Sequence, residues 1–410
     1  MIKVGRYTAA SLLVFVGATL LMDQTSDTSY VEKIVQWWPF IIIFFGIEYL
    51  IFQFKNKNDR NVRIDIKSVV LSFAIVLILF GLTSGFPFLN QLELVYSDNE
   101  NDLKFEIEAQ MIPFYENTNK LYVENLNGKI NIKPTNEKDF KFETTIYVSE
   151  IDQEKAERIV NESKLEWIDE GSTLQVYAKG KEYYRFGFKY KPKVNLIIHV
   201  PQSREIDIQL KMKNGSVIVT DVPILDSLDI DTTNGDIHIT NINGRVAADT
   251  TNGNIEVYSI DGKTVLDTTN GDIIADSIFG DFIADTTNGK IEGKIIEGKV
   301  EAESTNGSIT LVEVNDEVTV DTTNGKIKVK SQVVDGSWYL DTINESIEVV
   351  LPNNGDFTFR AQSNAGGFLS DFPFHIDKKI MGGIVGNGEH KITAYTNNGS
   401  IIVKKWDQDF

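Results

Sequence analysis

The sequence predicts N-terminal transmembrane α-helices followed by an all-β region, a parallel β-solenoid with 18-residue, two-strand coils and irregular end caps. Three observations predict it. Apolar stretches at 4–22, 34–54 and 69–88 each supply about the twenty residues a helix needs to cross the hydrocarbon layer. Further on, Thr-Thr-Asn-Gly or a close relative recurs with Asn at 234, 252, 270, 288, 306 and 324, always 18 apart. Two residues beyond each of those turns stands an isoleucine: Ile237, Ile255, Ile273, Ile291, Ile309, Ile327 and, in a degenerate copy, Ile347.

The first 88 residues form a membrane domain with three predicted spans. They carry 8 Lys/Arg against 6 Asp/Glu, whereas the remainder carries 32 against 53, so a slightly basic anchor precedes a domain of charge −21. Met22 is followed by Asp-Gln-Thr rather than by a small-x-small cleavage site, which favours a retained helix over a signal peptide. Basic residues fix the sidedness. Lys3 and Arg6 precede the first span, and Lys55, Lys57, Arg60, Arg63 and Lys67 fill the loop before the third, so both segments are expected in the cytoplasm. The acidic loop at 23–33 and the acidic segment after Phe88 belong outside, which makes the C-terminal domain extracellular at the cell membrane. Glu48, near the end of the second span, reads either as a functional intramembrane carboxylate or as a side chain reaching for the basic loop.

A linker, 89–111, leads to a β-rich N-terminal cap, 112–213, with one amphipathic helix expected over 152–167, where Ala156, Ile159, Val160 and Leu165 share a face. Asn127-Gly128-Lys129-Ile130 already resembles the repeat, so coils can begin before the irregular stretch. Regular solenoid follows over 214–350. Midway through each period comes a second turn signal, such as Asn243-Gly244 or Asp261-Gly262, so the unit is strand plus turn taken twice. Further apolar columns run through Ile242, Ile260 and Ile278, through Leu228 and Val246, and through Ile230, Ala248 and Leu266. Identity is kept at 18 residues and not at 9, which favours stacked parallel coils over a hairpin meander. The Asn-Gly pair is expected to supply a left-handed corner, with the Asn side chains forming a ladder. C-terminal coils and a cap are expected over 351–410.

Composition excludes much. There are no cysteines and four scattered histidines, no phosphate loop and no nucleophile elbow, and the acidity argues against nucleic acid. The chain reads as non-enzymatic, with no cofactor. One carboxylate per coil, at Asp231, Asp249, Asp267, Asp285, Glu303, Asp321 and Asp341, forms an outward column. It is a weak calcium candidate beside the plainer reading of a solvated acidic stripe, because the glycine-rich calcium-roll turn is absent. Tyr183, Tyr184, Arg185, Phe186 and Tyr190 form an aromatic-basic stretch that is either a binding surface or a strand pair packed on the cap.

The Asp-Thr-Thr-Asn-Gly-x-Ile pattern, with His199-Val200-Pro201 before it and Asn398-Gly399-Ser400-Ile401 after it, resembles a bacterial domain of unknown function labelled putative adhesin, built of β-strand repeats, over roughly 115–405. Val4-Gly5-Arg6-Tyr7, and Trp38-Pro39-Phe40-Ile41 through Gly46-Ile47-Glu48, are similar to the membrane region of LiaI/LiaF-like proteins, which are linked to envelope-stress signalling in Gram-positive bacteria. The resemblance implies a bilayer-anchored surface protein acting in envelope-stress sensing or regulation through membrane signalling proteins. The alternative is an adhesin or cell-wall-polymer-binding module.

Overall fold

The computed structural model describes residues 3–4, 6–25, 43–44, 46–48, 50–51, 63–64, 102–150, 152–185 and 188–406. The chain divides into two compact units, Met1–Lys104 with Tyr147–Glu162 and Gly180–Pro192, and Phe105–Ile146 with Ser163–Lys179 and Lys193–Phe410.

In the first unit, helix α1 (Arg6–Thr25) occupies the place of the first predicted span. The second span is described only at 43–44, 46–48 and 50–51, which are helical, and the third lies outside the described residues. Among the described residues no helix is long and apolar enough to cross a membrane. Arg6, Asp23 and Gln24 lie within α1 and shorten its apolar centre, so the described elements do not carry the three-span prediction. Glu48 has a different task from either one expected. Its carboxylate accepts the backbone N–H groups of Tyr7 (3.4 Å) and Thr8 (3.0 Å) and the Thr8 hydroxyl, and so caps the first turn of α1. A carboxylate there satisfies orphan donors and opposes the positive end of the helix dipole. Lys3–Val4 pairs in parallel with Arg63–Ile64.

The same unit holds helix α2 (Gln153–Asn161), capped by Asp152, whose carboxylate accepts from Glu154 N (3.0 Å) and Lys155 N (3.1 Å). The helix expected over 152–167 stops early. Its apolar face ends at Val160, and Trp167 lies instead in the strand Glu166–Asp169.

The second unit is the solenoid. A 14-stranded sheet, here the Ile sheet, faces a 15-stranded one, the Asp sheet, and successive coils pair in parallel with like on like. Ile237 stacks on Ile255, Ile255 on Ile273, and Asp231 on Asp249. The four apolar columns are buried between the sheets. Alternation drives this, since residues two apart share a face and one face of each strand can be wholly apolar.

Two departures from simple stacking organise the ends. Near the start, coil 120–135 is stacked directly beneath coil 207–220. The intervening chain supplies the next layer with Thr173–Ala178 and Lys193–Pro201 before returning. At the far end, His390–Thr396 and Ile401–Lys405 slip back between Trp338–Thr342 with Ile347–Leu351 and the later layer of Phe357–Ser363 with Phe368–Ser370. The stack therefore finishes in an antiparallel hairpin, His375–Asp377 with Ile380–Val385, at one end and in the antiparallel strand Glu166–Asp169 at the other. Short or charged strands at both ends interrupt the parallel ladder and blunt the open edges.

Candidate functional site

The repeated turn is built from three residues per coil: an Asn, a buried Thr or Ser, and a Gly. Asn side chains form an unbroken ladder: Asn234 donates to Asn214, Asn252 to Asn234, and so on until Asn398 donates to Asn344, each step 2.7–2.9 Å. Beneath it lies a buried hydroxyl column. Thr286 Oγ1 donates to the Gly271 carbonyl of the preceding coil (3.0 Å) and accepts the Gly289 N–H of its own turn (3.1 Å). Ser304 repeats both bonds with Gly289 and Gly307. The glycine is forced by contact rather than by conformation, because a Cβ on Gly289 would lie 1.7 Å from the Gly271 carbonyl oxygen. The positive φ expected at Asn-Gly is found at Gly128, Gly215 and Gly244 (129–139°), but in the regular Thr-Thr-Asn-Gly turns it is elsewhere. Asn241, Ser259, Ser277, Ile295 and Glu313, one per coil within the Ile sheet, have φ of 53–63°. This kink resets the strand's parity, so that Ile239 and Ile242, three apart, both face the interior.

The outward face of the Asp sheet carries the acidic column in single file. Burial pushes the carboxyls of Asp249, Asp285, Glu303, Asp321 and Asp341 above their ordinary range, and neighbouring carboxylates add to this for Asp249, Asp285, Glu303 and Asp341. Tyr339 donates its hydroxyl to Asp341 (3.1 Å). Among the described residues no three His, Asp or Glu side chains converge as a metal-ligand set. A column with one carboxylate per coil spreads its oxygens along a line instead of around a point.

The aromatic-basic stretch is an antiparallel hairpin, Tyr183–Arg185 with Phe188–Tyr190. Tyr183 is buried, stacks on Tyr190 and accepts the Ser149 N–H on its hydroxyl (3.0 Å). It is a packing residue, not an exposed contact, and this corrects its reading as part of a binding surface. Tyr184 and Arg185 lie on the first strand, and Phe186 falls outside the described residues. Beside Tyr183 a cavity of ≈ 200 Å³ is lined by α2 residues Lys155 and Arg158 and by Lys181 and Glu182.

A cluster that sequence reading did not find lies on the outward face of the Ile sheet. Glu348, only 9% exposed, meets Lys326 Nζ (2.8 Å), Lys404 Nζ (3.1 Å) and Lys328 Nζ (3.6 Å). Burial disfavours its charge, but hydrogen bonds from Lys326 and Lys404 and the lysine charges overcome this and hold its pKa at about 2. Lys330 rests over the Trp406 ring at 4.2 Å. The jump that stacks 401–405 on 347–351 hid Lys404 from this group. The signal that could have placed it was Asn398, three periods after Asn344. Nearer the middle, His238 lies 3.1 Å from Thr240 Oγ1 and 3.4 Å from Glu256. His238 and Glu256 are more than a third exposed, which suits a surface polar contact better than an activated nucleophile.

The fold is a two-sheet parallel β-solenoid. Residues 118–317 and 293–404 match the Toastrack DUF4097 family, and the chain belongs to it. No curated protein matches. Among solved structures it is similar to a putative cell adhesion protein from Clostridium sporogenes ATCC 15579, at 12% identity over 74% of this chain and 100% of the other, with a TM-score of 0.22. It is also similar to a putative adhesin from Bacteroides fragilis NCTC 9343, at 12% identity over 74% and 98%, TM-score 0.24. A putative lipid binding protein from Parabacteroides distasonis ATCC 8503 shares 15% identity over 74% and 97%, TM-score 0.30.

Proposed function

We propose that this protein is a non-enzymatic, membrane-anchored surface protein whose solenoid projects outside the cell and acts by binding, in sensing or regulating envelope state through membrane signalling partners. The observation that carries the anchor is the pairing of Lys3–Val4 with Arg63–Ile64. It joins the two basic segments that the charge rule assigns to one side of the bilayer. The Glu48 cap supports it, since it brings the end of the second apolar stretch to the start of the first. Solenoid faces made of evenly spaced side chains suit extended partners.

The natural absence of cysteine gives a direct test. Thr305→Cys in the solenoid should be labelled on intact cells by a membrane-impermeant thiol reagent, and Lys57→Cys only after lysis. The reverse pattern, or protection of both sites until lysis, would overturn the reading. A second reading, adhesion to cell-wall polymer, is favoured by the lysine cluster around Glu348.

A further inference from the structure

We infer that Lys326, Lys328, Lys330 and Lys404, with Trp406, form a docking track for an extended phosphate-bearing polymer lying along the stacking axis of the solenoid. The inference rests on the exported, binding reading above and names the class of ligand. Charge complementarity carries it. In a chain of net charge −19, the outward face of the Ile sheet over its last coils gathers Lys326, Lys328 and Lys404 around a single carboxylate, Glu348, and sets Lys330 on Trp406 in the same column as Lys404.

The cations are held in place before any ligand arrives. Lys326 and Lys404 are hydrogen-bonded to Glu348, and Lys330 is seated on Trp406, so less side-chain freedom is lost on binding. Their layout is linear. One column of the sheet reads Lys294, Val312, Lys330, Val350, Lys404, each paired with the next, which places a lysine at every second coil. Two coils span roughly 10 Å. A flexible chain of phosphates can follow such a row. An anionic bilayer fits less well, because a plane pressed on this face would also meet Glu292, on the strand that carries Lys294, and Asp276, which is paired with Lys294. The lysines remain accessible while paired: Lys326, Lys328 and Lys404 are 40–48% exposed.

The test uses the full-length chain in detergent and end-labelled long-chain inorganic polyphosphate, followed by fluorescence anisotropy at low and high salt. Wild type should bind, with affinity falling about tenfold or more as salt rises. Lys328→Gln with Lys330→Gln keeps both hydrogen bonds to Glu348 and should weaken binding about tenfold. Lys263→Gln with Lys299→Gln, at turns leading into the Asp sheet, should leave binding within about twofold. Circular dichroism on each variant separates a binding defect from unfolding; should Lys328→Gln with Lys330→Gln unfold, Trp406→Ala must show the weakening instead. The proposal is overturned if wild type does not bind polyphosphate, or if both lysine pairs weaken it equally. It is equally overturned if phosphatidylglycerol vesicles, and not polyphosphate, are captured through Lys328 and Lys330. Thiol labelling of Thr305→Cys reads the topology separately, so loss of this ligand and loss of the exported reading are distinct results.

Discussion

Thr286 Oγ1 donates to the carbonyl of Gly271, one coil away, at a distance of 3.0 Å. It also accepts the N–H of Gly289 at 3.1 Å. A residue at a core position is thus polar because it joins two backbones that cannot otherwise meet a partner.

Thr286→Val should therefore destabilise the solenoid by about 1–3 kcal/mol, since the Gly289 N–H and the Gly271 carbonyl would be left buried without partners. Thr286→Ser should stay near wild type, because Ser304 performs the same two bonds in the next coil. Urea unfolding of the two variants measures the difference, and equal stabilities would remove the hydroxyl's role.

Gly289→Ala places a Cβ 1.7 Å from a backbone carbonyl that is locked in the stack, and should prevent normal folding or cost more than about 4 kcal/mol. Gly293→Ala instead meets the Leu311 and Ile296 methyl groups at 2.8 and 2.9 Å, which can turn aside. Its cost should be about 1–3 kcal/mol. Melting temperatures of the two proteins should rank accordingly.

Ile295 is a β-branched residue held at φ 53°, and it is 39% exposed. The same column holds Asn241, and Asn tolerates a left-handed φ better than a β-branched residue does. Ile295→Asn should stabilise the protein by about 1 kcal/mol, through relief of backbone strain with little packing lost. A lower denaturation midpoint for this variant would contradict the assignment.

Two groups of carboxylates respond to pH in opposite senses. The acidic column binds protons more tightly when folded, so its contribution is present below the ordinary carboxylate range and is lost as pH rises through the raised folded values. Glu348 is held down from 4.5 to about 2, so its contribution is present above 4.5 and is lost as pH falls towards 2. Stability should accordingly rise as pH falls from neutrality through the raised folded values of the column, and Glu348 should oppose this as pH falls below 4.5 towards 2. Asp249→Asn, Asp285→Asn and Asp321→Asn together separate the remaining charges. They should raise stability at neutral pH, each neighbouring pair removed being worth about 1 kcal/mol at low salt. Calorimetry across pH should show the triple variant losing most of the rise on acidification.

The solenoid was legible because its signals are local and repeated. The Ile237 column, the Asn ladder and the Asp231 column follow from period and alternation alone, and each is in register in the structure. What was not legible required knowing which coil touches which. The kink at Ser259 and Ser277 has no fixed residue type, since its column also holds Ile295 and Glu313, so no sequence signal marks it. Tyr183 left two readings open, a contact or a packed strand pair, because aromatic-basic composition does not say which side of a hairpin is covered.

The sequence by itself determined the repeat, the pairing of like with like and the charge of the Asp face, because a period of 18 residues dictates the stacking of every regular coil. Only the tertiary structure decided how the ends are closed and which distant charges meet. Lys404 joins Lys326 and Lys328 around Glu348 because the chain overshoots and then returns to insert a coil. Such a return leaves only Asn398, three periods beyond Asn344, to read in the sequence; the insertion itself is selected by the burial and backbone pairing that the returning strands gain between two existing layers.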